Sequence, residues 1–236
     1  MESHDEVGPP AEAAAMGYGY GPSGGGAPTS LCVLLHGFGA DGTDMIPAAA
    51  ILGAHFPGMF FAAPNAPEPC VTDPACYQWY DPLGGRGLAD YAVAQLAPRI
   101  NRYIDLQLAR MGLTGDALVI LGFSQGSGVA IAAALQRERP CAALLVFTGA
   151  VRDKRGLEDT PVVCPPTLLV HGAEDDTIPL DSLLRSVRFL EARGIATTTH
   201  VCEGIGHTMN EEGVLVAARF LQLHLDPVQR APEPGP

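Results

Sequence analysis

Lysine is nearly missing from this chain. Lys154 is its single example, and 14 basic side chains stand against 26 acidic ones, for a formal net charge of -12 at pH 7. Gripping nucleic-acid phosphates or an anionic membrane surface takes clustered Lys and Arg, and the arginines here are scattered, so no nucleic-acid partner is expected. Long apolar runs are missing too. Stretches such as 31–35 and 117–121 are about a strand long, well short of the ~20 residues of a membrane-crossing helix, so no stable membrane insertion is expected. The N-terminus lacks the basic and apolar regions of a secretory signal, which makes cytoplasmic the default expectation. No C-x-x-C pair occurs among the six cysteines, so neither zinc-knuckle nor redox spacing is present. Cys32, Cys141 and Cys202 fall in or beside strand-like runs and read as small buried hydrophobes. Cys70 and Cys76 share a loop, where an oxidant could pair them.

What is present suits a packed core. Apolar residues make up 47% of the 236 and charged ones 17%, enough for one domain without disulfide or metal staples. Residues 1–28 are rich in Gly, Pro and Ala and are expected to form a flexible tail, as are residues 227–236. The folded domain is expected over 29–226. Inside it, short apolar runs at 31–35, 59–62, 117–121, 142–147, 167–170 and 197–202 read as strands. Helical patterns lie near 44–54, 88–111, 125–137, 181–193 and 211–224. Continuously apolar strands separated by helices predict an α/β architecture, a mostly parallel sheet covered on both faces. Ligands of such sheets bind beyond the carboxyl ends of the strands, so the chemistry should lie in the loops that follow them.

One such loop is Gly122-Phe123-Ser124-Gln125-Gly126, a G-x-S-x-G turn between a strand and an Ala-rich helix. A serine hydroxyl becomes a nucleophile when a tight turn exposes it to a base, and the flanking glycines avoid collisions with the neighbouring strand and helix. The helix that starts there aims its free N–H groups, that of Gln125 included, at a developing oxyanion. His207, in a Gly-rich loop after the last strand, is the candidate base. Glu174, Asp175, Asp176 and Asp181 cluster after the 167–170 strand; Asp181 reads as a helix N-cap, and spacing leaves Asp175 and Asp176 both open as the acid. The order Ser, acid, His fits this topology. The turn His36-Gly37-Phe38-Gly39 after the first strand offers the Phe38 N–H as a second oxyanion donor.

Together these motifs resemble the phospholipase/carboxylesterase family of α/β-hydrolases, which includes the acyl-protein thioesterases. The resemblance covers almost all of 29–226. It rests on Leu35-His36-Gly37-Phe38-Gly39-Ala40-Asp41-Gly42, Ala63-Pro64-Asn65-Ala66-Pro67, Trp79-Tyr80-Asp81, Gly122 to Gly126, His171-Gly172 through Asp175 to Pro179, and Gly206-His207. It implies an α/β-hydrolase fold with no large lid domain. It selects Asp175 as the acid, gives the oxyanion hole to the backbone of Phe38 and Gln125, and assigns Trp79 to substrate binding. The implied activity is hydrolysis of carboxylic esters, thioesters and lysophospholipid esters included, through an acyl-enzyme on Ser124. No metal or cofactor is implied; the partner is a small ester, and a homodimer is left open. Two departures stand out. Gly126-Ser127-Gly128 replaces a frequent Gly-Gly, and the 68–78 segment differs from the thioesterase members, which favours simple esters over acylated proteins. The rival readings are a catalytically silent scaffold used for binding and a dienelactone-hydrolase-like enzyme, whose nucleophile would be cysteine.

Overall fold

In the computed structural model the described residues are 17–82, 86–151 and 165–225, with the backbone alone over 86–92 and at 94. The elements run β1 (Gly17–Tyr20), β2 (Ser30–Leu35), α1 (Ile46–His55), β3 (Met59–Pro64), β4 (Glu68–Pro69) and β5 (Tyr77–Gln78). They continue with α2 (Arg86–Met111), β6 (Leu118–Phe123), α3 (Gln125–Leu135), β7 (Ala143–Phe147), β8 (Thr167–Gly172), α4 (Asp181–Glu191), β9 (Thr197–Cys202) and α5 (Glu211–His224). Among the described residues seven strands form the main sheet, in the order β1-β3-β2-β6-β7-β8-β9. β1 lies antiparallel on β3, and every other neighbouring pair is parallel. Among the described residues no helix is long and apolar enough to cross a membrane.

Side-chain alternation divides the core into two layers. Leu31, Val33 and Leu35 of β2 point, with Ile120 and Leu144, toward Ala97 and Ile104 of α2, Val129 and Ala133 of α3, and Leu190 of α4. Cys32 and Leu34 point the other way, with Leu121 and Leu145, toward Leu52 of α1 and Val214 and Leu221 of α5. A strand buried on both faces has no polar side to show, which is why these strands are unbroken apolar runs in the sequence.

Residues 17–28 correct the expected N-terminal tail. They enter the fold: β1 pairs with β3 from Gly17↔Pro64 to Tyr20↔Phe61, and the Gly24 N–H donates to the Pro57 carbonyl at 2.9 Å. Residues 1–16 and the 227–236 tail lie outside the described residues. Asp181 is a second correction. It is the first residue of α4 and Leu180 holds the cap position, so Asp181 contributes first-turn charge without a capping bond.

The turn after β2 is fastened from within by His36, which is fully buried. Its Nε2 accepts the Ala66 N–H at 3.0 Å, so the proton sits on Nδ1, which donates to the Gly37 carbonyl at 2.7 Å. The ring is neutral with both nitrogens engaged. Burial holds its pKa below the ordinary histidine value; the Gly37 bond and the charges of Asp41 and Asp44 oppose that shift but do not cancel it. As pH falls below about 6.5, the unfolded chain binds this proton before the folded one does, so His36 lowers stability on acidification. Urea melts at about pH 7.5 and about pH 5.5 should show the native chain losing more stability than His36→Ala over that interval. The variant should itself be weaker by on the order of 3 kcal/mol, from two orphaned backbone groups and a cavity. Equal losses in both chains would remove His36 as the titrating group.

Candidate active site

The nucleophile candidate sits where β6 turns into α3. Ser124 has φ 51 and ψ -114, a conformation that is costly for any side chain and lifts its hydroxyl clear of the turn. Such a turn needs α3 to start hard against the sheet. A methyl group on Gly126 would lie 2.2 Å from the Leu35 carbonyl oxygen and 2.5 Å from that of His36, so only glycine fits. The next residue, the departure Ser127, is fully buried and fully used. Its Oγ lies 2.7 Å from the Gly122 carbonyl and 2.9 Å from that of Phe147, a single proton shared between the ends of β6 and β7. Strain continues next door, where Thr148 has φ 42 directly after β7.

Three strand ends bring Ser124, His207 and Asp175 together. His207 Nε2 is 2.8 Å from Ser124 Oγ, and His207 Nδ1 is 2.8 Å from Asp175 Oδ2. The carboxylate of Asp175 is completely buried while the His207 side chain keeps some solvent contact. Asp175 Oδ1 accepts the N–H groups of Thr177 at 3.0 Å and Ile178 at 2.8 Å. The buried carboxylate is therefore held by backbone donors and the imidazole, with no Lys or Arg paired to it among the described residues. His171, also buried, stands 3.5 Å from Oδ2 through its Nε2, which donates to the Ile178 carbonyl at 2.7 Å. Asp176 is exposed and, among the described residues, accepts only the Thr177 hydroxyl, at 3.4 Å. The base loop is fixed to the acid loop. The Ala173 N–H donates to the Cys202 carbonyl and the Glu174 N–H to that of Ile205, both at 2.9 Å. Gly172 permits this, since a methyl there would meet the Ile205 and Gly206 carbonyl oxygens at 2.3 Å. Phe123 flanks the imidazole, with ring centroids 5.4 Å apart.

Phe38 and Gln125 occupy the two turns that adjoin Ser124, and among the described residues neither backbone N–H has an acceptor. The loop that carries Phe38 is laced to the segment around β5. Gly39 N–H donates to the Tyr77 carbonyl and Tyr77 N–H to the Ala40 carbonyl, each at 3.0 Å. Trp79 corrects its expected role. Its side chain is buried, 1% exposed, and its Nε1–H donates to the His36 carbonyl at 2.8 Å, so it props the turn from behind and offers no face to a substrate. Gln125 contributes more than its backbone. Its Oε1 accepts the Trp79 N–H at 2.8 Å and its Nε2 donates to the Tyr80 carbonyl at 2.7 Å, tying the helix start to the same segment. No sequence pattern announces that clasp, because its partner lies 46 residues away. One signal for the acid was available. A turn in which a carboxylate accepts N–H groups two and three residues on is open to Asp175, but residue 179, three beyond Asp176, is proline and has no N–H. Cys70 and Cys76 face each other beyond β4 and β5, the Cys70 N–H donating to the Cys76 carbonyl at 2.8 Å, and both are free thiols.

Known proteins are similar to this chain in sequence and fold. The crystal structure of esterase PE8 superimposes with a TM-score of 0.83 at 32% identity, covering 89% of this chain and 98% of that one. Acyl-protein thioesterase 1 of Schizosaccharomyces pombe is 26% identical over 83% of this chain and 91% of its own length. A protein of Oryza sativa subsp. japonica named a probable inactive carboxylesterase is 27% identical over 80% of this chain and 82% of its own. The family model described as phospholipase/carboxylesterase matches residues 22–225. With an α/β-hydrolase sheet and this match over nearly the whole described chain, the protein belongs to the phospholipase/carboxylesterase family.

Proposed function

We propose that this chain is a cytoplasmic serine hydrolase that cleaves small carboxylic esters through an acyl-enzyme on Ser124. The observation that carries the reading is the imidazole of His207, within 2.8 Å of both Ser124 Oγ and Asp175 Oδ2. Asp175 accepts the Nδ1–H of His207, which leaves the Nε2 lone pair facing the serine. Ser124 Oγ bonds to the acyl carbon as its proton passes to His207 Nε2, and the carbonyl electrons become an oxyanion. The N–H groups of Phe38 and Gln125 stabilise that charge; one such donor is typically worth about 3 kcal/mol. Collapse breaks the bond to the leaving group, which takes the proton back from Nε2. Water then repeats the sequence on the acyl-enzyme, releasing the acid and restoring Ser124. Names of relatives include esterase and acyl-protein thioesterase, so thioesters and lysophospholipids fall within the same chemistry. One relative is named inactive, but all three triad residues stand in this chain, which supports turnover over a silent scaffold. A serine nucleophile likewise weighs against a dienelactone-hydrolase-like enzyme.

Ser124→Ala should abolish hydrolysis of p-nitrophenyl esters and labelling by a fluorophosphonate probe, with an unchanged circular dichroism spectrum. Activity that survives in a clean preparation would dismiss the serine. A series from acetate to palmitate, run beside an S-palmitoyl peptide, ranks the leaving group and chain length.

Asp175→Asn should lower kcat about 10⁴-fold by favouring the wrong tautomer of His207. The exposed Asp176→Asn should change it little. The opposite ranking would transfer the role to Asp176.

Trp79→Phe keeps an aromatic ring in the core and deletes the N–H that holds the His36 carbonyl. The expected result is a kcat reduced roughly 10-fold with KM nearly unchanged, since a displaced oxyanion donor acts on the transition state. A change confined to KM would restore Trp79 to the substrate.

A further inference from the structure

Away from the serine, β9 and the start of α5 bring three chemically distinct ligand groups to one point. His200 and Cys202 are two residues apart on β9 and so share the face that packs on α5. Glu212, in the first turn of α5, reaches back across the gap, its Oε1 2.7 Å from His200 Nε2. One ligand atom each from His200, Cys202 and Glu212 lie within 4.8 Å of one another. Asn210 completes the surround: its Oδ1 lies 3.4 Å from Cys202 Sγ and accepts the Gly213 N–H at 3.1 Å as the helix cap.

We propose that His200, Cys202 and Glu212 form a binding site for a divalent transition-metal ion of the Zn²⁺ class. An imidazole nitrogen, a thiolate and a carboxylate make a mixed set that suits Zn²⁺ and excludes Mg²⁺ and Ca²⁺, which take oxygen ligands. Tetrahedral bonds of about 2.0–2.3 Å place ligand atoms roughly 3.5 Å apart. The groups therefore stand near that spacing, with His200 Nε2 and Glu212 Oε1 closer than it, at 2.7 Å. Water or Asn210 Oδ1 supplies the fourth position. A bound cation would favour the thiolate form of Cys202 as its ligand. Binding trades the His200–Glu212 contact and the long Cys202–Asn210 contact for bonds to the metal, while Asn210 keeps its bond to Gly213.

The location gives the site its consequence. Cys202 ends β9 and Glu212 lies in the first turn of α5, so a metal held by both closes the loop that carries His207. Metal binding therefore fastens the two ends of that loop without touching the triad, a stabilising role independent of the proposed hydrolysis.

The test is a Co²⁺ titration of the full chain under a non-thiol reductant, followed by Zn²⁺ competition. A thiolate-to-Co²⁺ charge-transfer band should rise to one equivalent, be displaced by Zn²⁺, and vanish in Cys202→Ser. His200→Gln and Glu212→Gln, which alter more exposed positions, should each weaken binding at least about 10-fold. They carry the test if Cys202→Ser does not fold. Zn²⁺ should raise the melting temperature of the native chain and not that of Glu212→Gln. Ser124→Ala should bind Co²⁺ as the native chain does, which separates this site from the catalytic reading. Absence of the band overturns the proposal. So does a band retained in Cys202→Ser, which would place the metal on other thiols, or native affinity in both Gln variants.

Discussion

The contact between the start of α3 and the end of β2 governs the rest of the site. At Gly126 the helix backbone stands so near the Leu35 and His36 carbonyls that no side chain fits between them. Because the approach is that close, the Ser124 turn, the His36–Phe38 turn and the first N–H groups of α3 occupy one small volume. The cost is the strained backbone of Ser124, and it is offset by packing around it. Ser127 contributes by holding the Gly122 and Phe147 carbonyls from beneath. His36, Trp79 and Gln125 contribute from behind, each giving a buried polar group a defined partner.

Charge is handled differently on the two sides of the serine. On the Phe38 side the supports are neutral, a histidine kept uncharged by burial and an indole and amide bonded to backbone carbonyls. Such a scaffold places donors without adding a competing field where an oxyanion forms. On the other side a single buried carboxylate, Asp175, is satisfied by two backbone N–H groups and His207. A nearby guanidinium would satisfy it too, but would also draw the carboxylate away from the imidazole.

Much of this was legible in the residues. The parallel strands are buried on both faces and so report themselves as unbroken apolar runs, and G-x-S-x-G between such a run and an Ala-rich stretch marks the Ser124 turn. β1 escaped for the opposite reason. All four of its residues are exposed, so Gly17-Tyr18-Gly19-Tyr20 has no buried side for a hydrophobic pattern to record, and only pairing with β3 makes it a strand. Trp79 was misread because the resemblance supplies an aromatic at that position but not the direction of its N–H. The choice of Asp175 rested on resemblance, although the proline at 179 already denied Asp176 the same turn. The Gln125 clasp is a long-range pairing with no local signature at all.

The bonds between the acid and base loops, at Ala173–Cys202 and Glu174–Ile205, bear on how the triad behaves in time. They join the ends of β8 and β9 into one ledge, while Ser124 stands on β6 with β7 intervening. A displacement between β7 and β8 would therefore change the span from serine to imidazole more than the span from imidazole to carboxylate. The orientation of the ring is thus set by the ledge it shares with Asp175, and the serine meets an imidazole whose direction it does not itself have to fix.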